Sequence, residues 1–192
     1  MNYWLPILAV LLSFLFVLVA KPKHRENFKL LLAFSGAFLL ALTLFELFPK
    51  AYQNDDPKTM GVFVMLGILL QIFLEFFSKG AEHGHVHLDV EKTGFPWLLF
   101  ISLSIHSLLE GFPIEGNATI LYDILIHKIP IAIILSIFFL NSKIKLFNAI
   151  FFVVLFSLMT PLGYYIAAHY VIDPAFSANI IAVAIGVFLH IS

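Results

Sequence analysis

Residues 119–140, TILYDILIHKIPIAIILSIFFL, are the stretch that decides the fold class of this chain. They are mostly apolar, and a helix needs about 20 such residues to cross the hydrocarbon core of a bilayer. Similar stretches fill most of the sequence, which is 61% hydrophobic and 12% charged. Because so few polar residues cannot cover a soluble globule of 192 residues, we expect lipid to be the main solvent.

Seven apolar stretches predict an all-α fold, a polytopic bundle of transmembrane helices. Their connections are short, so we expect a single transmembrane domain over residues 1–192, with a histidine-bearing loop over residues 79–94. The predicted spans lie near residues 3–20, 28–49, 60–78, 95–112, 119–140, 146–169 and 176–190. The first stretch has no basic residue before its apolar core, which favours a span over a cleaved signal peptide.

The basic residues predict the orientation of these spans. Of the 11 lysines and arginines, Lys128 lies deep inside a span and the other ten lie in the connections or at the ends of spans. The residues predicted to be cytoplasmic are Lys21, Lys23, Arg25, Lys29, Lys79, Lys92, Lys143 and Lys145, against Lys50 and Lys58 outside. The excess of basic residues on one side predicts an integral protein of the plasma (inner) membrane with its N-terminus outside. Topology thus explains the basic loops without a nucleic-acid partner.

The fourth span contains Ile105-His106-Ser107-Leu108-Leu109-Glu110-Gly111. Residues four apart project from one helical face, so the imidazole of His106 and the carboxylate of Glu110 could bind one cation. The chain has no cysteine, so a metal site would use nitrogen and oxygen ligands, which suit Zn²⁺ or Fe²⁺. The alternative is a histidine that only hydrogen-bonds its own helix neighbour.

The fifth span places His127 and Lys128 directly before Ile129-Pro130. A charge at this depth costs about 2.5–3.5 kcal/mol on insertion scales and therefore indicates a functional position. Pro130 cannot donate a backbone hydrogen bond, which predicts a kink where the polar side chains cluster. Glu75, near the end of the third span, can reach the membrane interface and is less informative.

The loop after the third span contains His83, His85 and His87 at alternate positions. Such a loop either collects metal ions weakly or is a solvated linker, and the pattern alone does not distinguish the two.

These motifs resemble those of the ZIP (Zrt/Irt-like) family of divalent-metal transporters, along nearly the whole chain. His106 to Gly111 resembles the family's His-x-x-x-Glu-Gly signature, and His127 to Pro130 resembles its His-x-x-Pro element. The remaining similarities follow the family's order: Leu47-Phe48-Pro49, the histidine loop, Thr160-Pro161-Leu162-Gly163 and Gly186-Val187-Phe188-Leu189.

The resemblance implies that metal is bound at mid-membrane by His106, Glu110 and His127. It places Ser107 and Lys128 where the family often binds a second ion, and Glu46 near the outer entrance. The metal, zinc or iron, would be the transported substrate, and no prosthetic group or enzyme activity is implied.

Three features depart from the family's pattern. Ile131 stands where the family commonly has a glutamate after the proline, and Lys128 stands where a neutral or acidic ligand is usual. The family also has eight spans, whereas this chain ends after residue 192, so we expect either a fragment or a shortened relative.

The sequence therefore predicts a transporter that carries zinc or iron toward the cytoplasm by alternating access, through a mid-membrane His/Glu site. No Gly-x-x-x-x-Gly-Lys motif occurs, so we expect movement along an ion gradient. One alternative is a non-transporting scaffold or receptor in which a Lys128–Glu110 ion pair replaces the metal. Another is a haem electron-transfer protein with ligands among His106, His127, His169 and His190. The identity of the metal and a homodimer are both left open.

Overall fold

The computed structural model describes residues 4–22, 26–52, 56–78, 95–115, 118–170 and 173–192. All regular elements in this part of the chain are helical, which confirms the predicted all-α transmembrane bundle. The helices are α1 (Trp4–Ala20), α2 (Glu26–Leu42), α3 (Phe48–Tyr52), α4 (Pro57–Ser78), α5 (Trp97–Leu109), α6 (Ala118–Asn141), α7 (Leu146–Ser157), α8 (Met159–Tyr170) and α9 (Pro174–Ile191).

These helices correspond to the predicted spans. A π-helical turn, Thr43–Leu47, joins α2 to α3, and a single turn residue, Leu158, joins α7 to α8, so each pair forms one span. Six of the resulting spans are long and apolar enough to cross a membrane, and α1 is a shorter apolar helix of 17 residues.

Prolines explain most of the irregular turns within the spans, because each proline lacks the N–H that would bond the carbonyl four residues earlier. Pro49 follows the π-helical turn, in which the Phe48 N–H bonds the Thr43 carbonyl. Pro161 follows the break at Leu158, and Pro113 lies in the 3₁₀ turn that ends α5. The structure assigns α6 as one helix through Pro130, and the kink there stays a prediction.

Two Asp-Pro pairs begin helices in the same way. The carboxylate of Asp56 accepts hydrogen bonds from the Thr59 N–H at 3.1 Å and the Thr59 hydroxyl at 3.0 Å, at the start of α4. These bonds favour the ionised carboxylate and lower the pKa of Asp56. Asp173 caps α9 by accepting a 3.1 Å bond from the Ala175 N–H.

The buried side chains form two main apolar clusters. The first joins α2, α3, α4, the beginning of α6 and α9, and includes Leu39, Ile124 and Phe188. The second joins α1, α5, the end of α6 and α7, and includes Leu103 and Ala132. Because α5 and α6 each extend from one cluster to the other, the residues at mid-helix lie between the two apolar clusters.

Candidate metal centre

Helix α5 supplies one imidazole and one carboxylate to a buried polar cluster. His106 Nε2 lies 2.9 Å from Glu110 Oε1, and both side chains are 2% exposed. Helical spacing brings them together, since residues four apart share a face. α5 ends at Leu109, Glu110 is its C-terminal cap, and the 3₁₀ turn with Pro113 follows, so the helix ends beside the carboxylate.

Helix α6 supplies the second imidazole. His127 Nε2 lies 3.8 Å from the same oxygen, Glu110 Oε1, and the rings of His106 and His127 are 6.2 Å apart between centroids. One ligand atom from each of the three residues lies within 4.8 Å of the others. A tetrahedral zinc ion holds its ligands about 3.3 Å apart, so a small adjustment of these side chains would accommodate one ion.

Lys128 binds the other oxygen of the same carboxylate. Its Nζ lies 2.5 Å from Glu110 Oε2 and donates a 2.8 Å hydrogen bond to Ser107 Oγ. Lys128 is 1% exposed, and its ammonium lies 5.0 Å from the centre of the Phe156 ring. Adjacent residues on a helix point about 100° apart, which explains how His127 and Lys128 reach different sides of Glu110.

Helix α8 closes the lysine side of the cluster through Thr160. The Thr160 hydroxyl lies 3.0 Å from both the Ser107 hydroxyl and the Ser107 carbonyl, and 3.3 Å from Glu110 Oε2. α8 can approach this closely because Gly111 and Gly163 have no side chains. A side chain at Gly111 would overlap the backbone of Thr160 and Tyr164, and one at Gly163 would overlap Leu108. Two glycines therefore allow the backbones to meet at the cluster.

Glu110 thus has two chemically different sides. Oε1 faces two imidazoles, a ligand set that suits a borderline divalent ion such as zinc. Oε2 is neutralised by an ammonium held by hydroxyl groups. The Oε1 side could therefore bind a metal ion, whereas the Oε2 side is already occupied by the ammonium of Lys128.

The other predicted site residues lie apart from this cluster or outside the described part of the chain. Glu46 is exposed in the π-helical turn, and its entrance role stays a prediction. His83, His85 and His87 lie outside the described residues. A Glu75 carboxylate oxygen lies 2.7 Å from Nε2 of His190 on α9, a hydrogen-bond partner that sequence spacing did not indicate.

Sequence reasoning missed three polar residues in or near the cluster. Asp123, one turn before His127 on α6, is a partly buried acidic residue within electrostatic range of Glu46. Ser35 and Thr160 contact the cluster directly. An acidic residue within a predicted span was a signal for Asp123, and Thr160 begins one of the motifs that resemble the family, whereas serine is so common in membrane helices that no signal distinguished Ser35.

The fold and the cluster define a class, an α-helical membrane protein in which adjacent spans bring two histidines and a glutamate together away from water. Part of the chain is similar to curated proteins that are named as zinc transporters. The chain is 37% identical over 93 residues to "Zinc transporter ZIP1" of Danio rerio, covering 44% of this chain and 30% of the relative. It is 31% identical over 122 residues to "Zinc transporter ZIP1" of Takifugu rubripes, covering 58% and 40%.

A third relative is "Protein zntD" of Dictyostelium discoideum, 36% identical over 106 residues, covering 44% of this chain and 15% of the relative. The matches thus span 15% to 40% of the length of these curated relatives. No protein-family model and no solved structure gave a significant match. These similarities, at modest identity over about half of the chain, support the resemblance to the ZIP family that the motifs above indicate.

Proposed function

We propose that this protein transports a divalent transition-metal ion, zinc or iron, toward the cytoplasm, and that His106, Glu110 and His127 bind the ion on its way. One observation carries the proposal: the ligand atoms of these three buried residues lie within 4.8 Å of one another. Two relatives named as zinc transporters support the same class of substrate. No covalent step is needed, so the proposed activity is transport without catalysis.

Replacement of the ion's hydration shell is the main energetic requirement. Two imidazole nitrogens and a carboxylate oxygen replace water around a zinc ion at about 2.0–2.2 Å. Sites built from nitrogen and oxygen ligands bind Cu²⁺ and Zn²⁺ more tightly than Fe²⁺. Affinity alone therefore does not decide which metal is carried, and cellular availability also contributes.

The proposed mechanism is alternating access, in which the metal-binding cluster opens first to one side of the membrane and then to the other. The cluster lies between two apolar packing clusters, and α5 ends beside it at Glu110. A shift of the segments around Pro113 and Pro130 would open one side while the apolar side chains of the other remain packed. Helix ends and proline sites are where such backbone changes cost least.

A second candidate function is a non-transporting scaffold or receptor, and the Lys128–Glu110 ion pair favours it. In that case the ammonium neutralises the carboxylate permanently, and no metal is needed to stabilise the buried charge. For the haem alternative, the carboxylate of Glu110 lies between the imidazoles of His106 and His127, so this pair of histidines leaves no room for a macrocycle without a rearrangement.

A transport assay in proteoliposomes distinguishes the proposed transporter from the scaffold hypothesis. We expect the wild-type protein to take up ⁶⁵Zn²⁺ or ⁵⁵Fe²⁺, and His106→Ala and Glu110→Gln to lose uptake by at least about a hundredfold, because each removes one metal ligand. His169→Ala is the matched control, since His169 is an exposed histidine that bonds its own helix at the Tyr165 carbonyl.

If both ligand variants take up metal as fast as the wild-type protein at equal expression, the metal site does not lie on α5. Absence of bound metal and of uptake in the wild-type protein would support the scaffold function instead.

A further inference from the structure

Ser35 of α2 contacts a proposed metal ligand from the side opposite the metal. Its side chain is fully buried, and its hydroxyl oxygen lies 3.0 Å from His127 Nδ1 and 3.2 Å from the His127 carbonyl oxygen. The two residues are 92 positions apart in the chain. Ser35 therefore binds both the ring and the backbone of a residue on another helix.

The number of hydrogens available to Ser35 and His127 determines which group donates in each contact. A serine hydroxyl has one hydrogen to donate and accepts on its oxygen. If that hydrogen goes to the His127 carbonyl, Nδ1 must carry a proton and donate it to the Ser35 oxygen, and both contacts are hydrogen bonds. If the hydroxyl donates to Nδ1, two oxygen lone pairs face each other at 3.2 Å with no hydrogen between them. The first arrangement satisfies every group, which matters because unpaired buried polar groups are costly.

This arrangement leaves Nε2 of His127 unprotonated. Nε2 is buried, has no hydrogen-bond partner in the described part of the chain, and lies 3.8 Å from Glu110 Oε1. A nitrogen lone pair then faces a carboxylate oxygen, and a divalent cation between them would stabilise both. Histidines that bind metals usually donate their other ring N–H to a neighbouring acceptor, which sets the tautomer and the ring orientation.

We propose that Ser35 is a positioning residue for the metal centre: its hydroxyl holds His127 as the Nδ1–H tautomer and thereby directs Nε2 toward the ion. The metal part of this inference rests on the proposed function, whereas the tautomer part does not. Ser35 does not touch the metal, and it acts through His127 alone.

The tautomer is measured on metal-free protein by ¹⁵N NMR of histidine-labelled samples, with His127→Gln used to assign the signals. We expect a protonated Nδ1 and an unprotonated Nε2 in the wild-type protein. Ser35→Ala should shift His127 toward the other tautomer or a mixture, and Ser35→Thr should keep the wild-type signals because it keeps the hydroxyl. Ser136→Ala is the control, since Ser136 is a buried hydroxyl that bonds its own helix at the Ala132 carbonyl.

Zinc binding by the same variants tests the consequence. Ser35→Ala should weaken zinc binding by about 10–100-fold, as is typical for the loss of a group that orients a metal-binding histidine, with Ser136→Ala unchanged and Ser35→Thr close to wild type. A protonated Nε2 in the wild-type protein, or unchanged zinc affinity in Ser35→Ala, would overturn the proposal. If the wild-type protein binds neither zinc nor iron, the proposed function fails, and the NMR result alone still decides whether Ser35 sets the tautomer.

Discussion

Glu110 is the residue on which the proposed chemistry depends, because its two oxygens have different partners. Oε1 lies 2.9 Å from His106 Nε2, and Oε2 lies 2.5 Å from Lys128 Nζ. Taking one charge out of water costs several kcal/mol, and a paired charge recovers much of that cost. The lysine therefore neutralises the carboxylate before any ion arrives, and an incoming ion must share it.

Lys128 is expected to limit the centre to one ion. Two unit charges 4 Å apart interact by about 4 kcal/mol at an effective dielectric constant near 20, so a second divalent ion beside the ammonium is strongly disfavoured. We expect one zinc ion per wild-type chain. Lys128→Asp should raise the stoichiometry toward two or tighten the first ion, and Lys128→Met should keep one ion and bind it at least about tenfold more tightly.

Titration of the purified protein with Zn²⁺ or Cd²⁺ measures both stoichiometry and affinity. Lys143→Met is the matched control, because it removes an exposed lysine from the α6–α7 connection. A wild-type centre that already binds two ions between α5 and α6 would show that the ammonium does not occupy a second cation position.

At the scale of helices, glycines determine how closely α4 and α9 approach. A side chain on Gly67 would overlap the Val183 carbonyl, and one on Gly186 would overlap the Val64 carbonyl. We expect Gly67→Ala and Gly186→Ala each to destabilise the protein by about 1–3 kcal/mol, because the two backbones must separate. Gly61→Ala is the control, since its nearest neighbour is the Tyr52 hydroxyl at 3.9 Å.

Thermal unfolding in detergent measures these differences. In Gly61→Ala the extra methyl group has room and alanine favours a helix by about 0.5–1 kcal/mol, so stability should be unchanged or higher. Equal stability of all three variants would mean that α4 and α9 do not need backbone contact at these positions.

The connection over residues 79–94 is expected to modulate transport only modestly. Replacing His83, His85 and His87 together by glutamine should change uptake by no more than about tenfold, because a loop that concentrates ions alters their local concentration and not the binding centre. Uptake at limiting and at saturating metal distinguishes the two effects. Complete loss at saturating metal would show that the loop is part of the transport pathway.

At the scale of the whole molecule, the orientation is a prediction that single cysteines can test, because the chain has none of its own. Lys58 and Lys143 are both exposed and lie at opposite ends of the predicted spans. With the N-terminus outside, a membrane-impermeant maleimide should label Lys58→Cys in intact cells and Lys143→Cys only after the membrane is opened. The reverse labelling pattern would invert the topology and the proposed direction of transport.

The amino-acid sequence was sufficient to predict the helices, and helical spacing alone brought one pair of site residues to the same face. Apolar stretches of about 20 residues predict helices, since in lipid every backbone polar group must be hydrogen-bonded within the protein and a helix achieves this within a single segment. The spacing of His106 and Glu110 brought them to one face because helical periodicity acts over a single turn. The kink predicted at Pro130 stays a prediction, whereas the irregular turns beside Pro49, Pro113 and Pro161 were found in the structure.

The contacts between residues far apart in the chain follow from the packing of the helices. Lys128 is 18 positions from Glu110, Thr160 is 50 from Glu110, and Ser35 is 92 from His127. Their contacts depend on where helices cross, and the crossing of α5 and α8 depends on two glycines whose missing side chains carry no polar signal of their own. Serine and threonine occur throughout membrane helices, so their chemistry becomes specific only when packing places them against a buried histidine or carboxylate.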